Sequence, residues 1–290
     1  MLSILILIIA MSCGMSAVAA ESVADPDDVN RNGIDDDVED TPNKAKLWLG
    51  LGMYYPSLDT KVSVGLIEGP VGAWVDFESN LGMRDVALMP ILNGSYRFNS
   101  RHRVNFGYFN LRRNGSERSD VTFRFGGIEV KASLPVQTYF DVKSYSASYG
   151  YSVYTSDKVD LELSVGLSVQ DIAFGLATTG NLEEQREESD LLAPLPTIGM
   201  SGFYALSDKW LLNGRAGYFA VDMNWEDRDR DLGGTILDIS AGVTHKTFKN
   251  IGFGLSWEYF DVNLDYRKSR KNVSLDYTYS GPTFSIFAYF

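Results

Sequence analysis

The stretch VDLELSVGLSVQD, residues 159–171, decides the fold. Its apolar side chains fall at every second position, and polar residues or glycine fill the positions between them. Because strand side chains alternate between two faces, the stretch predicts a β-strand with one apolar and one polar face. The apolar face holds Val159, Leu161, Leu163, Val165, Leu167 and Val169, and the polar face holds Asp160, Glu162, Ser164, Gly166, Ser168 and Gln170.

Such a strand fits two settings. A soluble secreted sandwich would turn the apolar face inward, whereas a transmembrane barrel would turn it to lipid and the polar face to the lumen. The chain begins with an export segment and ends on an aromatic strand at Phe290, and both features favour the barrel. The sandwich remains the alternative.

Composition narrows the class of protein further. A chain of 290 residues with 13% aromatic residues and 27 glycines suits one barrel, whose interfaces carry aromatic girdles. The net charge of −12 argues against nucleic acid, whose phosphates require basic surfaces. The one cysteine, Cys13, lies in the export segment, so we expect no disulfide in the mature chain.

Residues 1–20 predict a signal peptide. The apolar run at residues 2–11 is shorter than the roughly 20 residues of a membrane-spanning helix, and Ala17 and Ala19 form a small-residue cleavage site. A lipoprotein with the lipid on Cys13 is the alternative. Beyond the signal, residues 21–43 are predicted to be an acidic periplasmic tether and residues 44–290 an outer-membrane barrel.

The tether contains oxygen-bearing side chains at the spacing of a calcium loop. In DVNRNGIDDDVE, residues 28–39, oxygens recur at every second position, Gly33 allows a sharp turn, and a carboxylate closes the loop. A loop that wraps one hard cation needs this arrangement. The predicted ligands are Asp28, Asn30, Asn32, the carbonyl of Ile34, Asp36 and Glu39.

This dozen residues resembles the calcium repeats of thrombospondin type 3 and dockerin modules, and the loop of EF-hands. It differs from the EF-hand at Asp35, where an apolar residue is usual, and no flanking amphipathic helices are evident. The resemblance implies one bound Ca²⁺. The alternative is an acidic linker that binds calcium only loosely.

The rest of the chain predicts ten antiparallel strands. They cover residues 47–54, 88–98, 103–111, 139–153, 159–176, 192–205, 210–223, 235–245, 251–264 and 273–290. Short polar turns alternate with long connections, as in outer-membrane barrels with periplasmic turns and external loops. The connections 55–87 and 112–138 contain strand-like pieces, and a full hairpin in either would give twelve strands. Residues 178–190, 227–231 and 267–271 are predicted to be loops.

The C-terminal end resembles a known signal. Phe284, Ile286, Ala288 and Phe290 share a face, which is similar to the strand that the barrel-assembly machinery recognises, with Ala288 where Tyr is usual. With the tight turns, the Ala193-Pro-Leu-Pro196 stretch and the Tyr279-Ser-Gly-Pro282 stretch, residues 45–290 resemble the broad group of ten- to twelve-stranded proteobacterial outer-membrane proteins. This resemblance implies a fold and a location, and little chemistry.

Charged side chains at inward positions are the candidate functional residues of the barrel. They could line a selective pore, or they could pair and seal a narrow lumen, and we favour the seal because small barrels fill their own interiors. The predicted lumen residues are Arg97, Arg103, Asp160, Glu162, Arg215, Asp238 and Glu258.

The sequence argues against catalysis. An outer-membrane hydrolase needs a nucleophile with a base near the outer rim, whereas His102 and His245 lie beside predicted periplasmic turns. We therefore expect a non-enzymatic barrel, structural or forming a narrow channel, and an enzyme acting on lipid or peptide is the alternative.

The acidic residues 183–190 are candidates for binding divalent cations beside lipopolysaccharide. The predicted contacts to lipopolysaccharide phosphates are Arg267, Lys268, Arg270 and Lys271.

Overall fold

The computed structural model describes residues 45–66, 74–118, 122–125, 128–180, 183–225, 230–268 and 271–290. Their secondary structure is all β. The strands are β1 (Leu47–Tyr54), β2 (Ser57–Leu66), β3 (Trp74–Asp76), β4 (Met89–Arg97), β5 (His102–Arg118), β6 (Phe123–Phe125), β7 (Ile128–Val130), β8 (Pro135–Thr155), β9 (Val159–Gly180), β10 (Glu183–Ala205), β11 (Trp210–Trp225), β12 (Arg230–Lys246), β13 (Ile251–Lys268) and β14 (Lys271–Tyr289). No helix among the described residues is long and apolar enough to cross a membrane.

Ten strands close into an antiparallel barrel in the order β1-β4-β5-β8-β9-β10-β11-β12-β13-β14. Pairing of β1 with β14 closes it, from Trp48↔Tyr289 to Tyr54↔Thr283, and Leu47 and Phe290 exchange both backbone hydrogen bonds at 2.8 Å. Closure gives each of these ten strands two neighbours at the level of the β1–β14 pairing, which is what a sheet without edges requires. The closed barrel confirms the predicted fold and is not the two-sheet sandwich.

The barrel has two different ends. The "turn end" carries the short turns at residues 98–101, 156–158, 206–209 and 247–250, together with Leu47 and Phe290. The opposite "extended end" is built by the far halves of the long strands β8 to β14. The predicted strands are too short at this end, because residues 183–190 and parts of the other two predicted loops continue the ladder.

The strands β1 and β2 run along β14 as one line, so they count as one barrel strand. The pairs Tyr54↔Thr283 and Ser57↔Ser280 keep the same register, and Tyr55 donates its N–H to the Pro282 carbonyl at 2.9 Å. The ladder is interrupted at Pro56, which has no N–H to donate. The connection between β1 and β4, called the insertion below and described at residues 55–66 and 74–88, therefore adds no further barrel strand, and β6 and β7 pair only with each other. The barrel has ten strands rather than twelve.

The outward face is apolar near the turn end and polar near the extended end. On β9, Leu161, Leu163, Val165 and Leu167 are about half exposed, and Asp171 follows on the same face. On β13 the outward series changes from Trp257 and Tyr259 to Asp261, Asn263 and Asp265. The outward apolar run from Leu161 to Val169 matches the roughly 9–11 residues that a tilted strand needs to cross a bilayer. This band is therefore the lipid-facing belt.

The inward face changes in the opposite sense at the same level. On β9 it is polar at Asp160, Glu162 and Gln170, and apolar from Ile172 onward. On β8 the change falls between Ser144 and Val142, which lie beside Gln170 and Ile172. The extended end thus has a polar outside and an apolar core, as a soluble protein does. Its strands form two sheets there, because β10 pairs with β11 only as far as Ile198↔Tyr218 and β4 pairs with β5 only as far as Ile91↔Phe109.

The apolar core of the extended end contains side chains from the walls and from the inserted elements. Val62 and Val64 of β2, Val75 of β3, and Phe77 are essentially unexposed. The separate β6–β7 hairpin adds Phe125, whose ring lies 6.1 Å from Phe174 and 6.4 Å from Phe77. The buried wall residues include Val136, Phe140, Val142, Ile172, Phe174, Leu176, Leu195, Ile236, Val262, Leu264 and Leu275.

Candidate functional site

Four charged side chains meet inside the turn end. Arg97 on β4 and Arg103 on β5 are paired in register, and Asp160 and Glu162 reach them from β9, across β8. The crossing is possible because β8 carries Gly150 between them, where an added Cβ would collide with the Glu162 carboxylate. The cluster therefore follows from the local sequence, which places charged residues at alternate, inward positions and a glycine on the strand between them.

Each charge in the cluster has an opposite partner. The Asp160 Oδ2 atom accepts hydrogen bonds from Arg97 Nη2, at 2.6 Å, and from Arg103 Nη2. The Nε atom of Arg103 lies 2.6 Å from Glu162 Oε2, and Asn105 donates to the other oxygen at 2.9 Å. The four charged side chains are at most 9% exposed. Two cations and two anions cancel, so this cluster leaves no net buried charge.

The other three predicted lumen residues form a looser group farther along the barrel. Arg215 Nη2 lies 3.2 Å from Asp238, and these side chains are 48% and 28% exposed. Glu258 is half-buried nearby, where its backbone carbonyl accepts a hydrogen bond from Tyr54 Oη at 3.1 Å. Unlike the buried cluster, this group faces open space.

That space consists of two cavities. The "turn-end cavity", of about 250 Å³, is lined by Trp48, Arg103, Phe203 and Tyr289 among others. The "middle cavity", of about 200 Å³, is lined by Tyr54, Gln170, Asp238 and Tyr279 among others. Both are lined by Asn93, Gly107, Ser146, Ser148, Ser164, Arg215 and Glu258, so they adjoin each other. Beyond the middle cavity begins the apolar core.

A third charged contact joins β5 to the connection between β1 and β4 in the extended end. The strand β5 pairs with β4 only as far as Phe109, and beyond it the backbone of Leu81 and Met83 lies beside Gly115 of β5. There Arg113 Nη1 lies 2.5 Å from Glu78 Oε1, and its Nη2 donates to Thr60 Oγ1 at 2.6 Å. Glu78 in turn accepts the Thr60 N–H at 2.8 Å. Buried Arg113 thus fastens the insertion to the wall.

This fastening was not predicted from the sequence. Glu78 and Arg113 lie in two connections that the strand pattern leaves unassigned. The alternation itself could have revealed Arg113, because it shares the inward face of β5 with Arg103, Asn105 and Leu111. An arginine at an inward position needs a carboxylate partner. Nothing local indicates that the partner is Glu78.

The outer surface of the extended end is acidic along β2, β13 and β14. Asp59, Asp261 and Asp276 face outward there, and Lys61 lies 3.3 Å from Asp59. The Asp59 carboxylate raises the pKa of Lys61, whereas burial and then the Asp261 charge raise the pKa of Asp276. The surface that continues beyond the lipid-facing belt is therefore charged, as contact with water requires.

The two histidines lie at the turn end. His102 Nδ1 is hydrogen-bonded to the Tyr149 hydroxyl, and the His245 ring lies 4.5 Å from the Trp210 ring. His245 Nδ1 is also 3.0 Å from Thr247 Oγ1. Both imidazoles are surface groups on the outward face, away from the two cavities.

Other predicted site residues are only partly described. The six predicted calcium ligands at residues 28–39 and Arg270 lie outside the described residues, and of Lys268 and Lys271 only the backbone pairing is described. Arg267 forms an exposed ion pair with Asp231 at 3.2 Å. Within the described ranges, no group of three or more His, Cys, Asp or Glu is arranged to hold a metal ion.

Comparison of the fold with solved structures finds outer-membrane barrels. The outer-membrane protease OmpT from Escherichia coli is 10% identical, with a TM-score of 0.53, over 86% of this chain and 98% of that chain. The chain has the fold of an outer-membrane β-barrel. The translocator domain of autotransporter NalP from Neisseria meningitidis (12% identity, TM-score 0.42, 81% and 88% covered) and the toluene transporter TodX from Pseudomonas putida (10%, 0.31, 86% and 92%) also match.

At these identities the likeness to solved structures concerns the fold alone. No protein-family model and no curated protein sequence matches the chain. Function therefore has to be argued from this chain's own interior.

Loss of the shared anion should unbalance the buried cluster. The Asp160→Asn substitution keeps the shape of the side chain but leaves Arg97 and Arg103 with one carboxylate, Glu162. We expect the free energy of unfolding in lipid to fall by about 3–5 kcal/mol, measured by denaturant titration. The control is Asp171→Asn on the same strand, whose exposed pair with Lys143 at 3.8 Å is worth at most about 1 kcal/mol. Equal effects of the two substitutions would contradict this assignment.

Loss of Arg113 should release the insertion. We expect Arg113→Met to lower the free energy of unfolding by about 3–5 kcal/mol, because Glu78 is left buried without its partner. Trypsin should then cleave faster after exposed Arg84, whose carbonyl Arg113 also binds. The control is Arg112→Met, an exposed neighbour whose loss should change stability by less than about 0.5 kcal/mol. Unchanged cleavage at Arg84 in the Arg113→Met protein would show that the contact does not hold the insertion.

Proposed function

We propose that the chain is a non-enzymatic barrel of the bacterial outer membrane that is closed to solutes and carries a rigid β-structured extension beyond the lipid. The observation that carries the proposal is the reversal of interior polarity above Gln170. A conducting pore needs a continuous polar or hydrated path, and here the lumen ends at an apolar core whose central side chains are unexposed. Protein cores are close-packed, with few voids larger than a water molecule.

The charges of the lumen support the same function. Arg97, Arg103, Asp160 and Glu162 neutralise one another at hydrogen-bond distance, which suits a structural polar core better than a selectivity filter. A filter that attracts ions would present charges of one sign to water.

The orientation is part of the proposal. We assign the turn end to the periplasm, because outer-membrane barrels have short periplasmic turns, and both Leu47 and Phe290 lie there. The N-terminal segment would then be periplasmic, and the extended end would face outward. Protease accessibility of Arg84 in intact cells tests this assignment, because a periplasmic extended end would be protected.

The outer surface is also where we expect contacts with neighbouring molecules. Arg267 is exposed and would reach lipopolysaccharide phosphates with the basic residues beside it, which lipopolysaccharide binding to an Arg267→Gln protein would test. The β14 face that bears exposed Phe284 and Ile286 is available to the assembly machinery, and an Ile286→Asp variant should assemble poorly in cells.

The calcium loop of the tether remains a prediction, for which calorimetric titration of the mature chain and its Glu39→Gln variant is the test.

Conductance separates a closed barrel from a channel. We expect the mature protein, folded in detergent and inserted into a planar bilayer, to give no steady openings. A variant lacking residues 122–131 removes Phe123, Phe125 and Val130 from the core and should conduct, since the lumen would then be hydrated further. Altered gel migration before and after heating would confirm that both proteins are folded. Steady, ion-selective openings of the unmodified protein would overturn the proposal.

A further inference from the structure

The middle cavity has a wall of aromatic rings. The Phe260 and Tyr279 rings are stacked, with centroids 4.7 Å apart and planes at 15°. Phe109 lies edge-on to Tyr279 at 6.1 Å, and Tyr54 does so at 5.9 Å. All four side chains line the cavity. The electron-rich faces of such rings attract cations.

The opposite wall is polar. It contains serine hydroxyls, among them Ser144 and Ser168, and the carboxamide of Gln170. Gln170 Nε2 donates to Ser144 Oγ at 3.0 Å, and its Oε1 accepts from the Tyr277 hydroxyl at 3.3 Å. The cavity therefore offers an aromatic side and a hydrogen-bonding side to one occupant.

The charges at the cavity do not balance. Arg215 is paired with Asp238 at 3.2 Å, and both line the cavity. Within the described chain, Glu258 has no cation within ion-pair distance, and its carboxylate accepts side-chain hydrogen bonds from Thr283 and, at 3.5 Å, from Ser256. One cation and two anions leave one negative charge beside the aromatic wall.

A second observation indicates an occupant. The Tyr279 side chain is 3% exposed, and its hydroxyl has no hydrogen-bond partner among the described residues. A buried hydroxyl without a partner is costly, and a small shift of the ring would let an occupant of the cavity supply one. Glu258 and Tyr279 both line the middle cavity.

We propose that the middle cavity binds a small organic cation. Its ammonium group would lie between the Glu258 carboxylate and the Phe260–Tyr279 stack, and a hydroxyl or amide on the same molecule would bond to Tyr279 Oη or to the serine wall. The volume of about 200 Å³ is sufficient, since a cavity of about 150 Å³ accommodates benzene. The ligand would enter from the turn end, because the turn-end cavity adjoins this one at Arg215 and Glu258.

Choline and its neutral isostere 3,3-dimethylbutan-1-ol provide the test. They share shape and hydroxyl, and differ in the positive charge. In calorimetric titrations of the detergent-folded mature protein, we expect saturable choline binding and at least tenfold weaker binding of the isostere. Glu258→Gln should weaken choline binding at least tenfold, and Tyr279→Phe should weaken it about threefold through the lost hydrogen bond. The matched control is Asp265→Asn on the same strand, an outward carboxylate that should leave affinity unchanged.

Two results would overturn the proposal. One is the absence of saturable choline binding to wild-type protein whose heat-dependent gel migration shows that it is folded, which would mean that water alone partners Tyr279. The other is equal affinity for choline and the isostere, or for the wild type and the Glu258→Gln protein, which would mean that Glu258 does not select a cation. The Tyr279→Phe protein keeps the aromatic stack and so tests the site even where Glu258→Gln folds poorly.

Discussion

A strand that crosses a membrane and continues into water must exchange the polarity of both its faces at the boundary. Lipid requires an apolar outer face, and water requires a polar one. The inner face of this barrel has the opposite polarity to the outer face at each level. In this barrel the two exchanges coincide: outward Val169 gives way to Asp171, and inward Gln170 gives way to Ile172. The same strand is therefore a membrane strand on one side of this level and a soluble-protein strand on the other.

The contents of the lumen follow from this exchange. Inside the lipid-facing belt, the polar face must satisfy its own charges, which the Arg97–Asp160–Arg103–Glu162 cluster does. Beyond it, the walls need apolar partners, and the chain supplies them from its insertions, such as Phe77 and Phe125. Between the two regimes lies the middle cavity, where polar and apolar surfaces meet and where neither type of packing is complete. A cavity at this level is thus a consequence of the architecture.

The sequence predicts the membrane half of the barrel well and the extended half poorly. Alternation in residues 159–171 and the closing strand indicate the fold because a lipid-facing strand repeats one simple pattern. The sequence predicts a loop at residues 178–190 because the stretch is polar and rich in Glu, whereas residues 183–190 pair with β9. The sequence does not indicate that residues 57–66 continue the line of β1, because Pro56 interrupts the alternation. The structure shows that both strands pair with β14 in the same register. The Arg113–Glu78 contact joins residues 35 apart in sequence, and periodicity carries no information on such a pair.

The central claim is that the lipid-facing belt ends where both strand faces change polarity. Depth-dependent fluorescence quenching tests it most directly. Trp257 and Trp74 both face outward and are 58% and 55% exposed, but Trp257 lies in the apolar belt and Trp74 on the inserted strand β3 of the extended end. Single-tryptophan variants that retain one or the other would be folded into bilayers that contain brominated phospholipids. The account predicts strong quenching of Trp257 and almost none of Trp74. Similar quenching of both would place the extended end in lipid and contradict it.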